Sequence, residues 1–101
     1  MYILMVELRG RPERLDELES VLRSLAAVAG TEPGIACYAA QRREDRPDVF
    51  LLCEWYRDEA AWEAHMALEP VREALGRFDA LLAAPPGITR CAPVALACWQ
   101  A

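Results

Sequence analysis

Two strand-like segments of this chain are apolar on both of their faces. Apolar side chains occupy odd and even positions alike in Tyr2 to Arg9, and again in Val49 to Arg57. An antiparallel sheet with one face in water alternates apolar with polar residues instead. The helices that the sequence predicts suffice for only one face of such a sheet. We therefore expect the other face to pack against a second sheet, most simply that of a second copy of the chain.

Hydrophobic periodicity and turn signals predict the order strand, helix, strand, strand, helix, strand. The predicted bounds are Tyr2 to Arg9, Pro12 to about Ala29, Ile35 to Arg43, Val49 to Arg57, Asp58 to about Leu82 with a break at Pro70, and Ile88 to Trp99. This order is that of an α+β fold, the ferredoxin-like sandwich, in which a four-stranded antiparallel sheet carries its helices on one face. At this length we expect residues 1–101 to form a single domain.

The charge balance bears on possible partners. Sixteen acidic residues outweigh eleven arginines, no lysine is present, and the formal net charge is -5. A nucleic-acid backbone would meet net repulsion and no basic stripe, so we expect no nucleic-acid partner. The first apolar stretch, Tyr2 to Val6, is interrupted at Glu7 and is too short for a signal peptide or a membrane span. We expect a soluble, cytoplasmic protein without a membrane partner.

The cysteines suggest no metal site. They lie in apolar, strand-like runs, at Cys37, Cys53, Cys91 and Cys98. None shows C-x-x-C spacing, and a single histidine in the chain cannot complete a ligand set. We expect small buried side chains that stay reduced. An incidental disulfide between Cys37 and Cys53, across the predicted hairpin, is the alternative.

The stretch from Glu54 to Arg72 holds most of the chemistry that the sequence offers. His65 is the only histidine, and its imidazole can exchange protons near neutral pH, which makes it a candidate base. Trp55 and Trp62 are candidates for stacking on a planar substrate. Structural roles are the alternatives: both indoles in the core, and His65 in a hydrogen bond that orders the end of the strand.

Three further side chains complete the candidate site. Arg72 is a candidate stabiliser of an anion, or else a surface partner of Glu69. Glu54 lies within an apolar strand, where an unpaired carboxylate is costly, so we expect it either to pair with an arginine or to face the cavity. Tyr38, from the neighbouring strand, offers a hydroxyl group.

Several short motifs resemble those of one known family. They are Glu32-Pro33-Gly34 before a strand, Glu54-Trp55 at the end of an apolar strand, the run DEAAWEAH, and the run EPVREAL. Their order and spacing resemble the antibiotic biosynthesis monooxygenase family of dimeric α+β barrels. The resemblance implies a homodimer and brings in oxygen chemistry, because the family includes cofactor-free oxygenases of polyketide anthrones and quinols. It also includes many members without an established activity.

The match to the family's functional positions is mixed. Trp55 and Arg72 correspond to a strand tryptophan and a helical arginine of the polyketide oxygenases. Trp62 falls near their tyrosine, and Leu51 stands where they have an asparagine. The asparagine and the later histidine of heme-degrading relatives have no counterpart here, which disfavours a heme oxygenase.

Taken together, the sequence predicts a monooxygenase that oxidises a small phenolic, quinol or polyketide-type aromatic substrate with dioxygen, and without cofactor or metal. Such a substrate reduces dioxygen itself once it is ionised. His65 and Arg72 are the expected catalytic residues, and Trp55, Trp62, Tyr38 and Glu54 the expected substrate-binding residues. The alternatives are a non-catalytic dimeric module that binds a small molecule, and an isomerase in which His65 shuttles a proton.

Overall fold

A computed structural model describes residues 1–97 of the chain. Its elements, in chain order, are β1 (Tyr2–Arg9), a 3-10 turn (Pro12–Arg14), α1 (Leu15–Ala29), β2 (Ile35–Arg42), β3 (Val49–Tyr56), α2 (Glu59–Ala67), α3 (Glu69–Gly76), α4 (Phe78–Leu81) and β4 (Gly87–Cys91). The predicted α+β order is confirmed. The predicted break near Pro70 is also confirmed, because α2 ends at Ala67 and Pro70 lies in the first turn of α3.

The four strands form one antiparallel sheet in the order β2-β3-β1-β4. The register places Tyr2 opposite Tyr56, and Leu4 opposite Glu54. Successive side chains of a strand point to opposite faces, so these residues share one face of the sheet. That face packs against the helices, and α1 contributes the buried side chains Leu18, Val21, Leu22 and Leu25. The core therefore lies between the sheet and the helices, as in a ferredoxin-like sandwich.

The last strand is shorter than predicted. It ends at Cys91, and residues 92–97 form no strand. Proline has no backbone N–H to donate to a ladder, so Pro93 cannot continue regular pairing. The far end of the predicted run, with Cys98 and Trp99, lies outside the described residues.

The opposite face of the sheet, here called the outer face, is also apolar near its centre. It carries Ile3, Met5, Leu51, Cys53 and Trp55, and the side chain of Met5 remains 40% exposed. The expectation of a sheet that is apolar on both sides is confirmed. The register sets Cys37 opposite Trp55 and Cys53 opposite Ala39, so Cys37 and Cys53 are not a cross-strand pair, and no disulfide joins them.

Candidate active site

A cavity of about 220 Å³ lies between the sheet and the second and third helices. Its apolar walls come from β1 and β3 on one side, with Tyr2, Leu4 and Leu52, and from α2 and α3 on the other, with Met66 and Val71. Tyr38, Glu54 and His65 add polar groups to the lining of the same space. Mostly apolar walls with a few convergent polar groups are typical of small-molecule sites.

His65 enters this cavity from the last turn of α2 and is held by Glu32. The two side chains are 3% and 15% exposed, and 2.6 Å separates His65 Nδ1 from Glu32 Oε2. An ionised carboxylate only accepts hydrogen bonds, so the proton of a neutral imidazole lies on Nδ1 and points at Glu32. Nε2 then keeps its lone pair and can accept a proton. When Nε2 takes up a proton, Glu32 also stabilises the imidazolium that forms.

The loop that carries Glu32 is fixed against the start of α2. The backbone N–H of Arg57 donates to the carbonyl of Gly34 at 2.8 Å, and its guanidinium donates to the carbonyl of Pro33 at 3.0 Å. Asp58 caps α2 by accepting from the N–H of Ala61 at 2.8 Å, as its sequence position predicts. Sequence reasoning used Glu32-Pro33-Gly34 as a turn signal and as a family motif, and it missed the contact of Glu32 with His65.

Glu54 faces the cavity and has a phenol as its partner. It lies between Leu4 and Tyr38 in the sheet, and only 8% of it is exposed. The hydroxyl of Tyr56 donates to Glu54 Oε1 at 2.5 Å. Burial raises the pKa of Glu54, and this outweighs the opposing effects of the Tyr56 hydrogen bond and the charge of His65. Of the two predicted settings for this carboxylate, the structure shows the cavity and not an arginine pair.

The two tyrosines beside the imidazole remain phenols at neutral pH. The ring centroids of Tyr38 and Tyr56 lie 5.8 Å and 5.6 Å from that of His65. Burial raises the pKa of both hydroxyl groups, and the neighbouring carboxylates Glu54 and Glu32 raise it further. Neither tyrosine is therefore a base, and both offer hydrogen-bond donors.

Trp62 forms an aromatic wall of the cavity together with Tyr2, which sequence reasoning did not single out. The two rings stack with centroids 5.0 Å apart and planes inclined by 22°. The guanidinium of Arg90 lies 4.0 Å above the ring of Tyr2, on the side of β4 that faces the helices. The cavity therefore has a planar surface against which an aromatic ring can lie.

Trp55 and Arg72 do not join the other predicted site residues. Glu54 and Tyr56 point to the cavity, so Trp55, between them in β3, lies on the outer face. Arg72 is exposed on α3, next to the buried Val71, and does not line the cavity. The surface ion pair between Arg72 and Glu69 that the sequence suggested is also not formed. The structure thus brings Tyr38, Glu54, Trp62 and His65 together.

Two general features complete the picture. Between Met1 and Ala97 there is no cluster of three or more His, Cys, Asp or Glu side chains arranged to hold a metal ion. In the same part of the chain, no helix has the length and apolar character needed to cross a membrane.

The fold and the cavity define the chain as a ferredoxin-like α+β protein with a ligand-sized space between sheet and helices. It belongs to the antibiotic biosynthesis monooxygenase family, whose sequence model matches residues 1–77. The Bacillus subtilis (strain 168) protein named "Putative monooxygenase YcnE" is 27% identical over 90 residues, which cover 89% of this chain and 95% of that protein.

Solved structures agree on the fold. Rv0793 from Mycobacterium tuberculosis superposes with a TM-score of 0.88 at 22% identity, covering 96% of this chain and 98% of that one. PA3566 from Pseudomonas aeruginosa superposes with a TM-score of 0.83 at 28% identity, covering 93% and 94%. Family membership and the name of the Bacillus relative support a general monooxygenase-like function.

Proposed function

We propose that this protein is a cofactor-independent monooxygenase that oxidises a small phenolic, quinol or polyketide-type aromatic substrate with dioxygen. The observation that carries the proposal is the buried imidazole of His65, which lines an apolar cavity and is hydrogen-bonded to Glu32. A cavity of about 150 Å³ is known to bind benzene. The larger volume here therefore suits a substituted aromatic ring.

The first step is ionisation of the substrate. A phenol whose ring lies beside Trp62 gives its proton to Nε2 of His65, since Nδ1 is committed to Glu32. The imidazolium formed is stabilised by the carboxylate on its far side and in turn stabilises the new phenolate. In this proposal the imidazolium replaces Arg72 as the charge that faces the anion, because Arg72 is exposed outside the cavity.

The second step uses the reducing power of the substrate. An ionised quinol passes one electron to dioxygen, and the two radicals combine to form a carbon–oxygen bond at the ring carbon beside the ionised oxygen. His65 returns its proton to the peroxide. Loss of water then leaves a hydroxyquinone, so that quinol plus dioxygen becomes hydroxyquinone plus water. The substrate supplies all the electrons, and dioxygen is the only oxidant.

The outer face supports a homodimer. Met5, Cys53 and Trp55 present an apolar surface that no helix of the described chain covers. A second copy packed through the same face by two-fold symmetry would bury it. Burial of several hundred Å² at about 25 cal/mol per Å² corresponds to several kcal/mol, which favours association.

Oxygen uptake tests the proposed function. Quinols, hydroxyanthrones and catechols are supplied in turn, in chelator and without flavin, to the wild type, His65→Ala and the surface control Arg23→Ala. We expect at least one substrate to drive uptake, and His65→Ala to lower the rate about 100-fold or more while the control keeps it. No uptake with any substrate, or equal rates in His65→Ala, would refute the proposal.

Two other outcomes would assign a different function to the same cavity. Exchange of substrate hydrogen with deuterated water, without oxygen uptake, would indicate an isomerase that uses the same His65 and Glu32 pair. Ligand binding without exchange or uptake would indicate a binding module.

A further inference from the structure

We propose that Glu54 is a second catalytic residue, a carboxylic acid that protonates the departing oxygen when the peroxide bond of the substrate breaks. This inference rests on the proposed function, because it concerns the last step of the same reaction. It gives the cavity two separate groups, with Glu54 as the acid and His65 as the base.

The position of Glu54 suits a neutral acid. Its side chain lines the cavity and is 8% exposed. Within residues 1–97, no arginine and no histidine lies within ion-pair distance of its carboxyl group. A buried carboxylate without a cationic partner is costly, and the carboxylic acid avoids that cost.

The hydrogen bond from Tyr56 determines which oxygen of Glu54 carries the proton. Tyr56 donates its hydroxyl hydrogen to Oε1 at 2.5 Å. The acidic proton of Glu54 therefore belongs on Oε2, the oxygen that remains for a ligand. Tyr56 is fully buried, and its pKa is raised, so it stays a donor and keeps the carboxyl group in one orientation.

The chemistry requires such a proton. In the quinol peroxide, His65 takes the hydrogen of the carbon that bears the peroxide, and the electron pair of that C–H bond forms a C=O bond. The O–O bond breaks, and its outer oxygen leaves with the electron pair of that bond. Hydroxide is a poor leaving group in an apolar cavity, whereas proton transfer from Glu54 converts it directly to water. The cycle then ends with an imidazolium at position 65 and a carboxylate at position 54.

The site can restore itself without another residue. His65 and Glu54 line the same cavity, and the charge of His65 acts on the carboxyl group of Glu54. Transfer of the proton from the imidazolium to the carboxylate, directly or through one water molecule, regenerates the neutral base and the neutral acid. Glu32 takes no proton in this cycle; it positions His65 and stabilises the imidazolium.

Without the acid, the peroxide intermediate can break down by a different reaction. The carbon–oxygen bond breaks instead of the O–O bond, hydroperoxide leaves, and the ring becomes a simple quinone. Oxygen uptake then continues, but hydrogen peroxide replaces water as the second product. The ratio of hydroxylated product to oxygen consumed thus reports on Glu54 separately from the first step of the reaction.

The test uses Glu54→Gln, which keeps the shape and an acceptor for Tyr56 but has no acidic proton, with Glu44→Gln, the same change at an exposed position of the loop between β2 and β3, as the matched control. Both are compared with the wild type on a substrate that the wild type hydroxylates. For Glu54→Gln we expect oxygen uptake within about tenfold of the wild type, a fall of about 100-fold or more in hydroxylated product, and release of hydrogen peroxide. Glu44→Gln should keep the wild-type rate and still form mainly hydroxylated product.

The results separate the two proposals. Unchanged product per oxygen in Glu54→Gln, without peroxide, would overturn the role of Glu54 and leave the monooxygenase intact. Absence of uptake in the wild type with every substrate would overturn both. The protonation of Glu54 is also checked without substrate, by infrared difference spectroscopy between wild type and Glu54→Gln. We expect a carboxylic-acid carbonyl band at neutral pH that the variant lacks, and a carboxylate band in its place would overturn the inference.

Discussion

Replacing Gly34 by alanine tests whether the loop before β2 positions His65. A Cβ atom at residue 34 would lie 2.7 Å from the Cβ of Ala61 and 3.6 Å from its Cα, on α2. Non-bonded carbon atoms in contact are about 3.5–4.0 Å apart. The loop and the helix must therefore separate by about 1 Å to admit the methyl group.

That displacement acts directly on the base. Glu32 lies two residues before Gly34, and its contact with His65 is 2.6 Å long. Lengthened by about 1 Å, the contact falls outside hydrogen-bond range. A hydrogen bond to a charged group contributes about 1.5–3 kcal/mol, so proton abstraction should slow about 10–100-fold. Overpacking also destabilises by about 1–3 kcal/mol, which lowers Tm by about 4–8 °C per kcal/mol at this size.

Thermal unfolding and oxygen uptake measure the two effects, and two variants control for them. Gly76→Ala adds a methyl group that meets no atom within 4 Å, so we expect no loss of stability or rate. Ala61→Gly, combined with Gly34→Ala, removes the atom that clashes and should recover most of both losses. A Gly34→Ala variant as stable and active as the wild type, or a double variant that recovers nothing, would refute the reasoning.

Three other expectations follow from the same structure. Burial raises the pKa of Glu54, so its protonated carboxyl group favours the folded state at low pH, and this stabilisation is lost as the pH rises from the ordinary pKa of glutamate, about 4.3, through the raised pKa of the folded state. The Tm of Glu54→Gln minus the Tm of the wild type should therefore increase from about pH 4 to pH 8. A difference that falls as the pH rises would contradict this expectation. Arg72→Ala should keep the wild-type rate of oxygen uptake because Arg72 is exposed outside the cavity, whereas the family resemblance predicts a loss. Met5→Asp places a charge at the centre of the outer face and should convert dimers to monomers in sedimentation at micromolar concentration. Arg23→Asp, on the exposed side of α1, should not. A wild type that sediments only as a monomer would remove the proposed dimer.

The fold follows from local signals that agree with one another. The helix predicted to begin at Asp58 is capped by that residue, the strands predicted on either side of the hairpin form β2 and β3, and the helix break falls near Pro70. The exception is the last strand, which was predicted to run to Trp99 with Pro93 at an edge position or a bulge. β4 does lie at an edge of the sheet, but it ends at Cys91, before Pro93. Apolar character alone does not distinguish a paired strand from an extended segment, because pairing also needs backbone donors.

The site was harder to predict because it depends on which face each strand residue occupies. In β3, Glu54 and Trp55 are neighbours, so only one of them can face the cavity. Apolar residues occur on both faces of this strand, and its sequence does not show which face meets the helices. The register with β1, which pairs Leu4 with Glu54, supplies that information.

No local signal indicated that Glu32 contacts His65. It lies 33 residues before His65 in the chain, and the two meet only after the loop before β2 packs against α2. A carboxylate in a turn is common on protein surfaces, so only the three-dimensional contact identifies Glu32 as a positioning residue.

Isotope labelling tests the proposed reaction most directly. The wild type is given its best phenolic or quinol substrate under oxygen-18 gas, with chelator and without flavin, and the product is analysed by mass spectrometry after rapid quenching. We expect one labelled oxygen atom in each product molecule, labelled water as the second product, and loss of both in His65→Ala. An oxidised product without label, accompanied by labelled hydrogen peroxide, would show that the cavity removes electrons from its substrate without inserting oxygen, and would contradict the assignment.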